Sequence, residues 1–415
     1  LDSVGVAIGA KENPQIQNVL RDYLEICGNK GSAHIWGTGK RVPLLTAIFM
    51  NAMMGHTLEL DDVHTDSKTH IGTVVVPAAW SMAEYLGKTG DEFLLAVICG
   101  YETMARIGMA LGVSAHRNLG WHVTSTAGTF GAAAACAKLL GLDEDQTVSA
   151  LGLAGTQSFG TWAFLADGAT NKVLHPASGC EAALLAKAGM TGPEFILTAE
   201  DGGLFNNMTN EPKPEMVANG LGEKWYIMEM DNKPYPCCRS THCTIDGTLS
   251  LRRQGLRAED VESIEVRTYL VGNKQCGMSD GSRNPKKPVD AKFSTPFTVA
   301  AALLYGEVTL EHFKEEYILR PEIQELLHKV TVVTDGRFTE KYPDHWGCRV
   351  IATCKDGRVM EQEVEDASGS VYNPLSEEQV RSKVTALVRE TCGAQAEEIV
   401  AAILSLSGRS GLPVV

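Results

Sequence analysis

At 415 residues the chain is longer than one ordinary core, so two domains are expected. Its 44% hydrophobic and 21% charged residues exclude a disordered or collagen-like chain. Thirty-seven basic against 51 acidic side chains leave a formal charge of −14, a field that repels nucleic acid. An anionic metabolite could bind only where Lys, Arg and His gather locally. No uninterrupted apolar run is long enough to cross a bilayer, and the chain does not open on a basic stretch followed by an apolar one. Neither a membrane partner nor a secretory leader is expected. The 11 cysteines include no C-x-x-C pair, and Cys99, Cys136 and Cys180 stand among small or apolar neighbours. Free thiols in a reducing, cytoplasmic setting fit that pattern.

In chain order, Leu1 to Ile8 reads as part of a helix, and the run through Asn51-Ala-Met-Met-Gly-His as another. Asp91 is expected to cap a long helix whose apolar positions recur at steps of three and four and end near Gly112. Val123 to Leu140 is an Ala- and Gly-rich helix, with Gly141 suited to a left-handed exit. Asp143 caps a third helix through Ala150 and Leu153, and Gly179 opens a fourth. Small residues on so many helices allow close approach of their backbones. The pattern changes after residue 231. Glu262-Ser-Ile-Glu-Val-Arg-Thr-Tyr alternates with the period of a half-buried strand, and Val330-Thr-Val-Val-Thr is another. Two further runs flank Lys355-Asp-Gly, a hairpin signal. Helices are expected near Thr298 to Tyr305, Leu310 to Lys314 and Pro321 to His328. Ser376-Glu-Glu-Gln is a capping box opening a last amphipathic helix, followed by one near Ala396 to Leu404. The fold class is therefore mostly α with an α+β second domain. Residues 1–231 and 372–415 form a large all-helical domain. Residues 232–371 form a smaller lid with an antiparallel sheet.

The densest polar cluster is Glu59-Leu-Asp-Asp-Val-His-Thr-Asp-Ser-Lys-Thr-His, ending at His70. Three readings apply to it. It is a solvated turn with an acidic rim, a metal site of unusual spacing, or an acid–base site in which carboxylates hold an imidazole. His122 precedes the Ala/Gly-rich helix, where unpaired N–H groups favour anions. Lys172 precedes another Ala-rich helix and is a surface charge or a carboxylate binder. Lys233-Pro-Tyr-Pro-Cys-Cys-Arg-Ser-Thr-His gathers Cys238, Arg239 and His242 at the change of domain, as a rigid linker or a binding segment.

Taken together these segments resemble the MmgE/PrpD family over essentially the whole chain. The matching pieces are Gly55-His-Thr-Leu-Glu-Leu-Asp-Asp-Val-His with Thr69-His, Trp121-His-Val-Thr-Ser-Thr-Ala-Gly, Lys172 with the helix at Gly179, Lys233-Pro-Tyr-Pro, and Lys292-Phe-Ser-Thr-Pro-Phe. The resemblance implies a helical domain with an α+β lid, a homodimer, and an active site between the domains that uses no metal or organic cofactor. It also implies chemistry at a carbon beside a carboxylate of a small polyacid. By position it makes His70, His122 and Lys172 catalytic, with Asp61 and Asp62 as the paired acids. Glu59, Lys233, Cys238, Arg239 and His242 are then substrate contacts. Against the family's decarboxylase pattern, Glu59 replaces an Asp, Val63 a Thr and Cys238 a His.

The expected activity is a cofactor-independent lyase, of dehydratase or decarboxylase type, or an isomerase acting on a small di- or tricarboxylate. An epimerase, such as one for iminodisuccinate, is the alternative. A metal-dependent hydrolase or hydratase and a helical scaffold protein are the more distant rivals.

Overall fold

The computed structural model describes residues 1–163 and 176–415 and divides into two compact units. The first comprises Leu1–Trp162, described residues 176–232 and Ser376–Val415, and the second is built on Lys233–Leu375.

The first unit is helical. Its elements are α1 (Asp2–Gly9), α2 (Pro14–Cys27), α3 (Leu44–Thr57), α4 (Gly72–Leu86), α5 (Gly90–Ala110), α6 (Val113–Asn118), α7 (Val123–Leu140), α8 (Glu144–Thr156) and α9 (Pro176–Lys187). Helix α7 packs against α4, α5, α8 and α9. It can do so because its sequence, Val-Thr-Ser-Thr-Ala-Gly-Thr-Phe-Gly-Ala-Ala-Ala-Ala-Cys-Ala, carries little bulk on any side, and nearly all of it is buried. The contact with α5 shows why. A methyl group added at Gly131 would lie 2.8 Å from Cβ of Met104, and one at Gly100 would lie 2.9 Å from the Gly131 carbonyl oxygen. Helix α7 ends at Gly141 in the left-handed region (φ 64°), and Asp143 accepts from the Gln146 N–H to start α8. Both follow from the local sequence. The cap of α5 is Thr89, not Asp91: Thr89 and Glu92 form a reciprocal capping box, which places the start two residues earlier.

Helix α5 has the length and apolarity of a membrane span, but 72% of that stretch is buried, packed on α4 and α7. It also carries a buried ion pair. Arg106 Nε lies 3.4 Å from Glu102, and its guanidinium donates to the carbonyls of Asn219 (2.8 Å) and Lys224 (3.2 Å). Glu102 in turn accepts from the Ile227 N–H at 3.1 Å, so the pair fastens the segment 219–227 to the helix. The helix Glu377–Cys392 starts at the Ser376–Gln379 capping box and lies along α1, where Lys383 meets Asp2 at 2.9 Å.

The second unit holds a four-stranded sheet with order β6-β5-β7-β8, the strands being β5 (Val261–Thr268), β6 (Val330–Thr334), β7 (Cys348–Cys354) and β8 (Val359–Val364). Strands β1 (Ala33–Ile35) with β2 (Lys40–Val42), and β3 (Val63–His64) with β4 (Met230–Asp231), are short ribbons of the first unit. In the larger sheet β5, β7 and β8 are antiparallel, and β7 and β8 form the hairpin around Lys355-Asp-Gly. The sheet is mixed rather than wholly antiparallel, because β6 runs parallel to β5. The 61 residues between those two strands include several helices, enough chain to return to the same end of the sheet. The inward residues of β7, Val350 and Ala352 among them, join Ile245, Leu251, Phe297 and Leu303 from the helices His242–Arg253 and Thr295–Tyr305 in one core.

Candidate active site

The segment from Leu58 to Ile71 joins α3 to α4, and it is not a solvated turn. Asp61, His64, Ser67 and Thr69 are at most 1% exposed. A loop can be buried only if its backbone polar groups find partners, and several do here. The His64 N–H donates to the Thr69 carbonyl (2.9 Å), β3 pairs with β4, and Thr65 Oγ1 donates to Asp231 (3.0 Å). Lys383 reaches the Leu60 carbonyl at 2.9 Å. Two non-glycine residues, Glu59 and Lys68, adopt left-handed backbone conformations (φ 58° each). Such strain persists only where surrounding contacts enforce it, and it is common at functional sites.

This fold of the loop separates the two acids that stand side by side in sequence. Asp61 Oδ2 takes a hydrogen bond from Nδ1 of His56, in the last turn of α3, and lies 3.0 Å from Nδ1 of His70. The two imidazoles meet edge to face, with centroids 4.8 Å apart. Asp62 faces the other way. Its Oδ1 accepts from the Gly72 N–H (2.9 Å) at the start of α4, and its Oδ2 from the Tyr101 hydroxyl (2.8 Å) on α5. Asp61, then, is the acid against His70, while Asp62 anchors a helix start.

Burial pushes the Asp62 carboxyl up to about 7, with the Tyr101 bond acting against the rise. The sign of its pH effect follows. Between the unfolded value of 3.8 and about 7 the folded state holds a proton that the unfolded chain has lost. Its contribution to stability is therefore full below that window and declines as pH rises through it. Asp62→Asn has no such titration. Urea unfolding at pH 5 and pH 7.5, run on both proteins, is expected to show a steeper decline for wild type than for the variant. Buried His116 and His64, held down to about 4 and about 3 by desolvation, act in the opposite sense in both proteins and cancel in the comparison.

His70 and His122 are tied to the same helix end. The His70 N–H donates to Thr124 Oγ1 (3.1 Å) in the first turn of α7, and His122 is the residue that caps that helix. His122 is 3% exposed, its N–H donates to the Gly160 carbonyl (3.0 Å), and its ring lies 4.4 Å from that of Trp162. The His70 side chain keeps 13% of its surface exposed. Lys172 lies outside the described residues. Glu59 is buried in the same loop as Asp61.

In the second unit Lys233 and Arg239 are buried, at 1% and 5% exposure, and so is Lys292. The Cys238 N–H donates to the Lys292 carbonyl (2.9 Å), which joins the two motifs. Burial pushes the Cys237 thiol up to about 12, while the charges of Lys233 and Lys292 both act to lower it. His242 opens the helix His242–Arg253. Its Nε2 approaches the Cys237 carbonyl at 3.3 Å, and its ring packs edge to face on Tyr235.

His56 and Lys292 stand in segments that carry the family resemblance, but the sequence assigns neither a role. His56 carries a signal of a kind, a histidine in the last helical turn five residues before an acid, but only the loop's reversal brings the two together. His56, Asp61 and His70 are also the group that would hold a metal ion, with ligand atoms within 4.8 Å of one another among the described residues. A tetrahedral ion about 2.1 Å from each ligand would hold neighbouring ligand atoms about 3.4 Å apart. Nδ1 of His70 and Oδ2 of Asp61, 3.0 Å apart, are within ion-pair distance.

A histidine set against a buried carboxylate is an arrangement that can carry acid–base chemistry. Comparison with known proteins makes the class specific: the MmgE/PrpD N-terminal domain matches residues 1–217 and the MmgE/PrpD C-terminal domain matches residues 235–406. The chain belongs to the MmgE/PrpD family of enzymes. It is 29% identical over 403 residues to the cis-aconitate decarboxylase of Aspergillus terreus (strain NIH 2624 / FGSC A1156), covering 91% of this chain and 81% of the relative. The cis-aconitate decarboxylase of Homo sapiens is 27% identical over 404 residues, covering 93% and 81%. The 2-methylcitrate dehydratase of Salmonella typhimurium is 24% identical over 368 residues, covering 83% and 74%.

Proposed function

We propose that the protein is a lyase of decarboxylase or dehydratase type acting on a small di- or tricarboxylate, without metal or organic cofactor. The observation that carries this reading is the contact between His70 and the buried Asp61. An ionised carboxylate only accepts, so it favours the proton on Nδ1 of His70 and leaves Nε2 with the lone pair that moves a proton to or from substrate carbon. Asp61 also stabilises the imidazolium formed when Nε2 takes that proton. In a dehydration, Nε2 removes the proton beside a carboxylate and the β-hydroxyl leaves as water. In a decarboxylation, carbon dioxide leaves with its bonding pair retained on carbon, and the protonated imidazole supplies the proton to that carbon. His122 or Lys172 serves as the second proton-transfer group. Buried Lys233 and Arg239 suit the task of holding carboxylates, since charge-assisted bonds are about twice as strong as neutral ones. The names of the relatives, cis-aconitate decarboxylase and 2-methylcitrate dehydratase, support the same substrate class.

The test is incubation of the purified protein with cis-aconitate and with 2-methylcitrate in deuterium oxide. Proton NMR reads deuterium entering the carbon beside a carboxylate, and released carbon dioxide or new unsaturation separates the two reaction types. No exchange and no turnover with either acid, or with a panel of other small polycarboxylates, overturns the reading.

A further inference from the structure

We propose that His56 is a positioning residue for His70, acting through the carboxylate that both share. Three observations lead there. Asp61 is 1% exposed, and a buried carboxylate pivots about its χ angles unless its oxygens are held. His56 holds it: its Nδ1 bonds the same Oδ2 that lies 3.0 Å from His70. His56 is itself fixed, at 3% exposure, in the last turn of α3, and its ring rests edge to face against that of His70. One rigid helix thus sets both the carboxylate and one wall of the catalytic ring, while the His70 backbone is set separately by Thr124 on α7. His56 touches neither substrate nor the reacting atoms in this scheme. It fixes the direction from which His70 presents Nε2.

Two amides distinguish this role from simple packing. The side-chain nitrogen of Asn can take the place of histidine Nδ1, whereas Gln carries its amide one bond further, near the place of Nε2. His56→Asn therefore keeps a donor for Asp61 and His56→Gln does not. With misplacement of a catalytic group by about 1 Å worth roughly 10²-fold, His56→Gln is expected to lower kcat by about that factor with KM within about twofold. His56→Asn is expected to stay within about fivefold of wild type. The kinetic arm rests on the function proposed above. A second measurement does not: nitrogen-15 NMR of the His70 ring, without substrate. There the Nδ1-protonated form is expected to dominate in wild type and His56→Asn, and to give way to a mixture of tautomers in His56→Gln. Equal kcat values for the two variants, or His70 ring spectra identical in all three proteins, overturn the positioning role. A protein that turns over no polycarboxylate at all sinks the function instead, and the ring spectra still decide the case of His56.

Discussion

His70→Ala is expected to lower solvent-deuterium exchange into the substrate by about 10²–10⁴-fold, the usual contribution of one general acid–base group. On the proposed mechanism the loss should fall on kcat, since the imidazole would act on the reacting carbon rather than hold the acid. The side chain keeps 13% exposure, and the His70 backbone bond to Thr124 does not depend on the ring, so the fold should survive the truncation. Circular dichroism and the urea midpoint measured beside the exchange rate check this. Wild-type exchange in a folded His70→Ala protein would remove the imidazole from the mechanism and leave His122 or Lys172 to carry it. A parallel Lys172→Ala variant distinguishes the latter two.

The largest expected effect on stability lies elsewhere, in α5. Arg106→Leu removes the cation from a buried pair and leaves Glu102, at 7% exposure, without its counter-charge. Breaking such a pair costs about 3–5 kcal/mol, because the remaining charge stays desolvated. The variant also frees the carbonyls of Asn219 and Lys224, which accept from the guanidinium. Urea unfolding should show a midpoint well below wild type with the slope little changed. A double variant, Glu102→Leu with Arg106→Leu, should recover part of the loss, since an apolar pair carries no unpaired charge. A loss under about 1 kcal/mol in Arg106→Leu would mean that water reaches the pair.

How far the sequence could be read depended on how local each determinant is. Helix α7 was legible from end to end, since the residue before it, the Ala/Gly run and the left-handed Gly141 all act within a turn or two. The start of α5 lies two residues before the one Asp91 suggests, because Asp91 is also a good capping residue. The reciprocal Thr89–Glu92 bonds decide the matter. The direction of β6 was not legible, since the pairing of Val330 with Ile264 spans 66 residues and strand alternation is the same in either direction. The site was partly legible. Asp61, Asp62 and His70 were evident as a cluster, but alternation of acids along a chain says nothing of which way each side chain turns. The left-handed backbone at Glu59 belongs to the reversal that aims Asp61 at the two histidines and sends Asp62 to Tyr101. His56 closes a helix that reads as plain core, so nothing local in the sequence marks its contact with Asp61.

The close crossing of α5 and α7 has a consequence for how this protein can change. The same rod that fills the middle of the first unit also terminates beneath the two histidines, through Thr124 and His122. A methyl group inserted at Gly131 or Gly100 comes within 3.0 Å of its neighbours, so the crossing must widen, and the helix that shifts is the one that carries His122 and Thr124 at its start. Variation that thickens this crossing should therefore erode turnover before it erodes folding, and drift in its small residues should be tolerated only in compensating pairs.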